Sequence, residues 1–211
     1  EVVIRNDDDE KYQDLAPYNN QIDDYEYSNC YVITAENIQI NESNNYDGFF
    51  FRPYVPGRGP KGDITGDPYE ANSTLDIHNV RLLWQDAEQP IEHVELVQGF
   101  IRIRLDSRTT AQDIRSGNAI IAAYDKEYNI IWTWHIWVCD STNDVTINGM
   151  TIMDRNLGAL WAPDRDNPVD NGEEALMTYG LYYQWGRKDP SPGPMSYNYN
   201  FIDMRTATYY A

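Results

Sequence analysis

The sequence predicts a mainly β protein: an Ig-like β-sandwich followed by a partial, aromatic-rich β module. Three observations predict it. Short runs of β-branched and aromatic residues recur between turn residues, the pattern of an all-β sandwich. Helical periodicity is scarce. Tyrosine and tryptophan dominate the aromatics, with 17 Tyr and 6 Trp against 5 Phe, and such amphipathic rings suit pleated sheets and contact surfaces.

Taken in order, Cys30-Tyr31-Val32-Ile33-Thr34 reads as the first strand, and Gly48–Phe51 and Val80–Trp84 as the next two. Phe100 to Leu105 alternates, with Ile101, Ile103 and Leu105 on one face and Arg102 and Arg104 on the other. Period-2 alternation of that kind predicts a half-buried strand with a solvated outer face. Asn118–Tyr124 is apolar almost throughout and reads as a central strand. Asp125–Asn129 then turns the chain into Ile130–Val138 to close a hairpin. Between Arg52 and Asn79 prolines and glycines crowd together, and a structureless stretch of this length is uncommon in a compact domain. With few aromatics to bind with, it reads as a mobile surface insertion.

The grammar changes near Asp140. Ile147-Asn148-Gly149-Met150 signals a tight turn before a short strand at Thr151–Met153. Asp164–Glu174 is a polar loop, and Tyr179–Gly186 is a second aromatic run with Leu181, Tyr183 and Trp185 on one face if extended. The predicted organisation is an acidic arm over 1–27, a β-sandwich over 28–139 and a partial second β module over 140–211.

Charge narrows the function classes. Sixteen basic residues against 34 acidic ones give −18 over 211 residues, with a pI near 4.3. A nucleic-acid binder needs a cationic footprint, so nucleic acid is not an expected partner. No run approaches the roughly 20 apolar residues of a membrane span, so no transmembrane segment is expected. Residues 1–27 hold the run Asp7-Asp8-Asp9-Glu10 and read as a solvated acidic arm. Glu1 opens no basic and apolar leader, which does not argue for the cytoplasm.

Residues that could carry chemistry are few. Cys30 and Cys139 begin the first and end the last strand of the expected sandwich. They form either a bridge closing a very long loop or two buried free thiols. His78, His93 and His135 are scattered, without the spacing of a metal site. No nucleophile elbow, P-loop or dinucleotide fingerprint accompanies His135, so it reads as a packed histidine. Asp164–Glu174 is rich in oxygen ligands but fails EF-hand spacing at Pro168. Neither metal, cofactor nor catalytic residue is expected. Trp161, Tyr182, Tyr183 and Trp185 are candidate ligand-binding aromatics, since flat rings receive the apolar face of a sugar; the plainer expectation is that Tyr183 and Trp185 fill a core.

The ordered set Ser28-Asn29-Cys30-Tyr31-Val32-Ile33, Val80–Gln85, Ser116–Tyr124, Ile130–Val138, Met153-Asp154-Arg155-Asn156-Leu157-Gly158-Ala159 and Tyr179–Pro190 resembles a surface-protein module of Bacteroidota, found in fimbrillin-family, minor-pilin and adhesin lipoproteins. The resemblance covers about residues 28–194. It implies an exported protein at the extracellular or outer-membrane surface, non-catalytic, with surface or pilus subunits as partners. Such proteins usually continue into a further surface domain after the position of Pro190, and the insertion expected of them before the run Val80–Gln85 is shorter than Arg52–Asn79. The second half also resembles the fold shared by C-type lectins, so the alternative is a lectin-like, carbohydrate-binding module facing host or microbial glycans. Because few residues follow Trp185, residues 140–211 are expected either to fold back onto the sandwich or, the preferred reading, to be covered by further polypeptide.

Overall fold

Residues 11–15, 29–53, 76–86, 88–163 and 172–193, with the backbone of Thr208–Tyr209, are described by a computed structural model. In chain order the strands are β1 (Tyr12–Asp14), β2 (Cys30–Ile33), β3 (Gly48–Phe51), β4 (Asn79–Gln85), β5 (Ile91–Val97), β6 (Phe100–Leu105), β7 (Gly117–Tyr124), β8 (Ile130–Val138), β9 (Asp144–Ile147), β10 (Met150–Met153) and β11 (Thr208–Tyr209). Two helices, α1 (Ala35–Ser43) and α2 (Gly172–Met177), complete the described elements. The chain is mainly β, with a four-stranded sheet ordered β1-β3-β6-β5, a five-stranded sheet ordered β11-β4-β7-β8-β2, and the hairpin β9-β10.

The β7–β8 hairpin forms where the sequence places it. Asp125 closes its turn, accepting hydrogen bonds from the backbone N–H groups of Glu127 and Asn129 and from the Asn129 side chain. Alternate residues of β8 (Trp134, Ile136, Val138) face inward beside Ile121 and Ala123 of β7 and Val80 of β4. Opposite them stand Phe49 and Phe51 of β3 and Ile101 and Ile103 of β6, all in one buried cluster. Phe51 stacks on Tyr31 of β2 at 4.2 Å and meets Trp134 edge-on at 5.7 Å, so rings from both sheets interlock. Each such side chain removed from water contributes about 1.5–3 kcal/mol.

Several elements depart from expectation. Arg102 is buried, with its guanidinium 4.6 Å from the Tyr12 ring centre, so the outer face of β6 is solvated at Arg104 and covered at Arg102. The cover comes from within 1–27. β1 runs parallel to β3, and Gln13 and Leu15 are buried, so part of the segment read as an acidic arm is sheet. Strand β5 pairs with β6 and lies at the edge of its sheet, and its residues show no clean alternation to announce it. Helix α1 begins as Thr34 N–H donates to Asn37 Oδ1 at 2.9 Å and buries only Asn37 and Ile38, too narrow a stripe to stand out as a period.

Beyond β8, the β9–β10 turn has positive φ at both Asn148 and Gly149, as a two-residue hairpin loop requires. Tyr179–Gly186 does not form the extended run expected of it. Gly180 and Gly186 have φ of +72° and +77°, and the segment makes one isolated bridge, Tyr182 to Ser191. Most of Arg52–Asn79 and Asp164–Glu174, and nearly all of the tail from Met195, lie outside the described residues. Among the described residues no helix is long and apolar enough to cross a membrane.

Candidate functional site

The five-stranded sheet has a second face. Between the inward residues, the pleat turns Cys30, Asn118, Ile120, Thr133, His135 and Trp137 outward, and residues 154–161 and 177–189 lay a layer over them. Gly158 and Gly180 let it come close. A Cβ on Gly158 would sit 2.6 Å from Leu181 Cγ, and one on Gly180 would sit 2.4 Å from the Leu157 carbonyl oxygen. Leu181 packs with Trp84 and Ile120, and its N–H donates to Leu157 O at 3.0 Å. Trp137 Nε1 donates to Ala159 O at 3.2 Å. Thr133 Oγ1 donates to Asp189 Oδ1 at 2.5 Å, and Lys188 donates to Thr133 O at 2.8 Å while lying 4.8 Å from the Trp132 ring centre. Arg155, with 2% of its side chain exposed, ties the start of the layer to Asp140 at 2.7 Å and Asp154 at 2.9 Å. Of the two arrangements expected for residues 140–211, folding back is the one seen for these residues.

A buried polar chain lies beneath that layer. Asn118 Nδ2 donates to Asp86 Oδ2 at 2.8 Å and to Gly158 O at 2.9 Å. Both partners only accept, so Asn118 Oδ1 is left to accept from His135 Nε2–H at 2.9 Å. That fixes the tautomer, and His135 Nδ1 accepts the Cys30 thiol proton at 3.1 Å. The connectivity is that of a thiol, a base and an orienting amide. Its protonation runs the other way. Burial pushes the Cys30 thiol up to about 12, with a smaller contribution from Cys139, and pushes His135 down to about 3 against an opposing pull from Asp189. The pair rests as thiol and neutral imidazole, whereas an activated cysteine needs a lowered thiol pKa.

The Cys30–Cys139 bridge is not formed. Their strands do neighbour each other, in parallel, with Cys30 opposite His135 and Ile33 opposite Val138. Cys139 therefore lies four residues further along, roughly 13 Å at ~3.3 Å per residue, beyond the ~4.4–6.8 Å between Cα atoms that a disulfide takes. His78 and His93 lie apart from His135: His78 meets the Tyr128 ring and His93 approaches Glu95 at 3.8 Å. Among the described residues no group of three or more His, Cys, Asp or Glu could hold a metal ion.

The four candidate aromatics are all at the surface. Trp185 is 100% exposed, Tyr182 60%, Tyr183 45% and Trp161 43%. Trp185 therefore fills no core, contrary to the plainer expectation. It sits in the turn closed by Arg187 N–H to Gln184 O, which leaves its indole nothing to pack on. Tyr183 is the most anchored of the three neighbours; burial raises its phenol above the ordinary range, and Cys30 adds to the rise. Trp161 joins the other end of the layer, its backbone N–H donating to Met177 O at 3.2 Å. Sequence reasoning missed Asn118 and Asp86, because parallel pairing across 105 residues is what brings Cys30 to His135 and no local motif announces it. Comparisons with protein families, curated proteins and solved structures return no match.

Proposed function

We propose that this chain is a non-catalytic cell-surface module with a structural or adhesive role, built on an Ig-like sandwich and associated with pili or surface lipoproteins, and that it meets its partner through Tyr182, Tyr183 and Trp185. The observation that carries the reading is the fully exposed indole of Trp185 beside two exposed tyrosines. Large aromatics left in water in this way are typical of contact surfaces, where one ring buries a large area at low entropic cost. The layer beneath supports the same reading, since its thiol and imidazole are held neutral and serve as a brace. The resemblance over residues 28–194 points to export and to surface or pilus subunits as partners.

A carbohydrate-binding role is the second reading. The same three rings, with Trp161, favour it because exposed aromatic faces receive the C–H face of a sugar. A glycan array and sedimentation of the chain with purified surface subunits separate the two. Partner-dependent assembly that Trp185→Ala weakens, with an empty array, supports the adhesive reading. Saturable glycan binding lost in the same variant replaces it with the second, and neither result in a folded sample overturns both.

A further inference from the structure

His135 lies between two clamps. Along the outward positions of β8, Thr133 is held by Asp189 and Lys188, and Trp137 by the carbonyl of Ala159, with His135 between them. Both ring nitrogens are engaged, by the Cys30 thiol and by Asn118 Oδ1, and the residue is buried. We propose that residues 157–161 and 177–189 form an acid-released cover, which opens from the five-stranded sheet when His135 takes a proton while the core between the two sheets stays folded.

Among the described residues, the groups facing the imidazole all bear on this. From β2 comes the neutral thiol of Cys30; from β7 comes Asn118, which leads on to the Asp86 carboxylate at the end of β4. From the cover come Asp189, Lys188 and the phenol of Tyr183, which lies near Cys30. Asp86 is already taken by two donors from Asn118, its backbone N–H at 2.7 Å and its side-chain amide at 2.8 Å. Asp189 is shared between Thr133 and Lys188, and the ammonium offsets the carboxylate. A proton arriving at Nδ1 would turn the acceptor of the Cys30 bond into a donor aimed at sulfur, a weak acceptor. It would also place a cation in a dry site, which opening to water relieves.

The cover is also the weaker of the two packings. Among the described residues its apolar hold is Leu181 against Trp84 and Ile120, flanked by Leu83, with Ala159 and Leu160 also buried, whereas the core between the sheets joins residues from β2, β3, β4, β6, β7 and β8. Units held by few apolar contacts open first. Burial that keeps the closed-state imidazole near 3 supplies the gap across which a proton can act.

The test is hydrogen exchange on the whole chain between about pH 7.5 and 5, corrected for intrinsic rates and for its own pH dependence. The Trp137 indole N–H, bonded to Ala159 O, reports on the cover, and the amides of β7 and β8 report on the core. The opening constant of the cover should rise about tenfold per pH unit below about 6.5, with β7 and β8 still protected. His135→Gln should flatten that dependence. Protection of the cover that ignores pH, or that is lost in step with β7 and β8, overturns the proposal. If His135→Gln fails to fold, ring-nitrogen NMR of the unaltered chain decides. A His135 ring that protonates near 6.5 while the Trp137 indole N–H stays protected also overturns it.

Discussion

Replacing Ile103 by alanine probes the core most sharply. Ile103 is fully buried, sits opposite Phe49 on β3 and Val94 on β5, and belongs to the cluster that contains Trp134. The change removes three carbons, worth about 2.4 kcal/mol at about 0.8 per methylene. A residual void of about 40 Å³ adds about 1 kcal/mol. The expected loss is therefore about 3.5 kcal/mol, read as a lower midpoint in urea with an unchanged slope. Tryptophan fluorescence follows it directly, since Trp134 lies in the same cluster. Ile130→Ala, at a position that is 49% exposed, is the control and should stay within about 0.5 kcal/mol. A loss below about 0.5 kcal/mol for Ile103→Ala would mean that β6 does not face the five-stranded sheet.

Both cysteines should alkylate slowly at neutral pH, because burial holds each thiol up to about 12, and a mass shift of the intact chain on reduction would contradict the parallel register. Gly180→Ala should cost about 1–3 kcal/mol more than Gly149→Ala; both have positive φ, but only at Gly180 does the new Cβ meet backbone, so equal losses would refute the close approach. Asn118→Ala removes one donor from the buried Asp86 carboxylate and the acceptor of His135, and should cost about 3 kcal/mol in the same urea assay. Global stability should fall with acid: His135 has a folded pKa below its unfolded value of 6.5, so its contribution is complete above that value and fades as pH falls toward about 3. The slope from this residue is at most about 1.4 kcal/mol per pH unit, and a flat stability curve between about pH 6 and 4 would show that His135 is solvated.

The strands that were legible are those whose side chains announce two environments. Phe100–Leu105 alternates, and Asn118–Tyr124 with Ile130–Val138 is apolar enough to be covered on both faces. Both faces of β7 are indeed buried, Ile121 in the core between the sheets and Ile120 beneath the outer layer. Edge elements were not legible. Strand β5 alternates poorly because one side of it has no strand neighbour, and β1 hides in an acidic stretch because only Gln13 and Leu15 turn inward. The aromatic segment misled in the opposite way. Leu181, Tyr183 and Trp185 share a period that would stripe a strand, but glycines with positive φ on either side break it into turns, burying Leu181 and exposing Trp185. The candidate aromatics were therefore readable as residues and not as a surface. The chain from Cys30 through His135 and Asn118 to Asp86 could not be read at all, because it is assembled across four separated stretches by sheet register.

Contact through the outer aromatic surface is tested most directly by adhesion of beads coated with the chain to immobilised glycoprotein and to purified outer-membrane surface protein, comparing the unaltered chain with a Tyr182→Ala, Trp185→Ala double variant. Both positions are exposed, by 60% and 100%, so the double variant should keep its fold and its urea midpoint. The expected result is a loss of adhesion of at least about tenfold, equivalent to about 1.4 kcal/mol, that persists after the glycans are enzymatically stripped from the target. Loss of all binding on stripping would assign the surface to sugar. Equal adhesion by the folded double variant would contradict a role for these rings in contact.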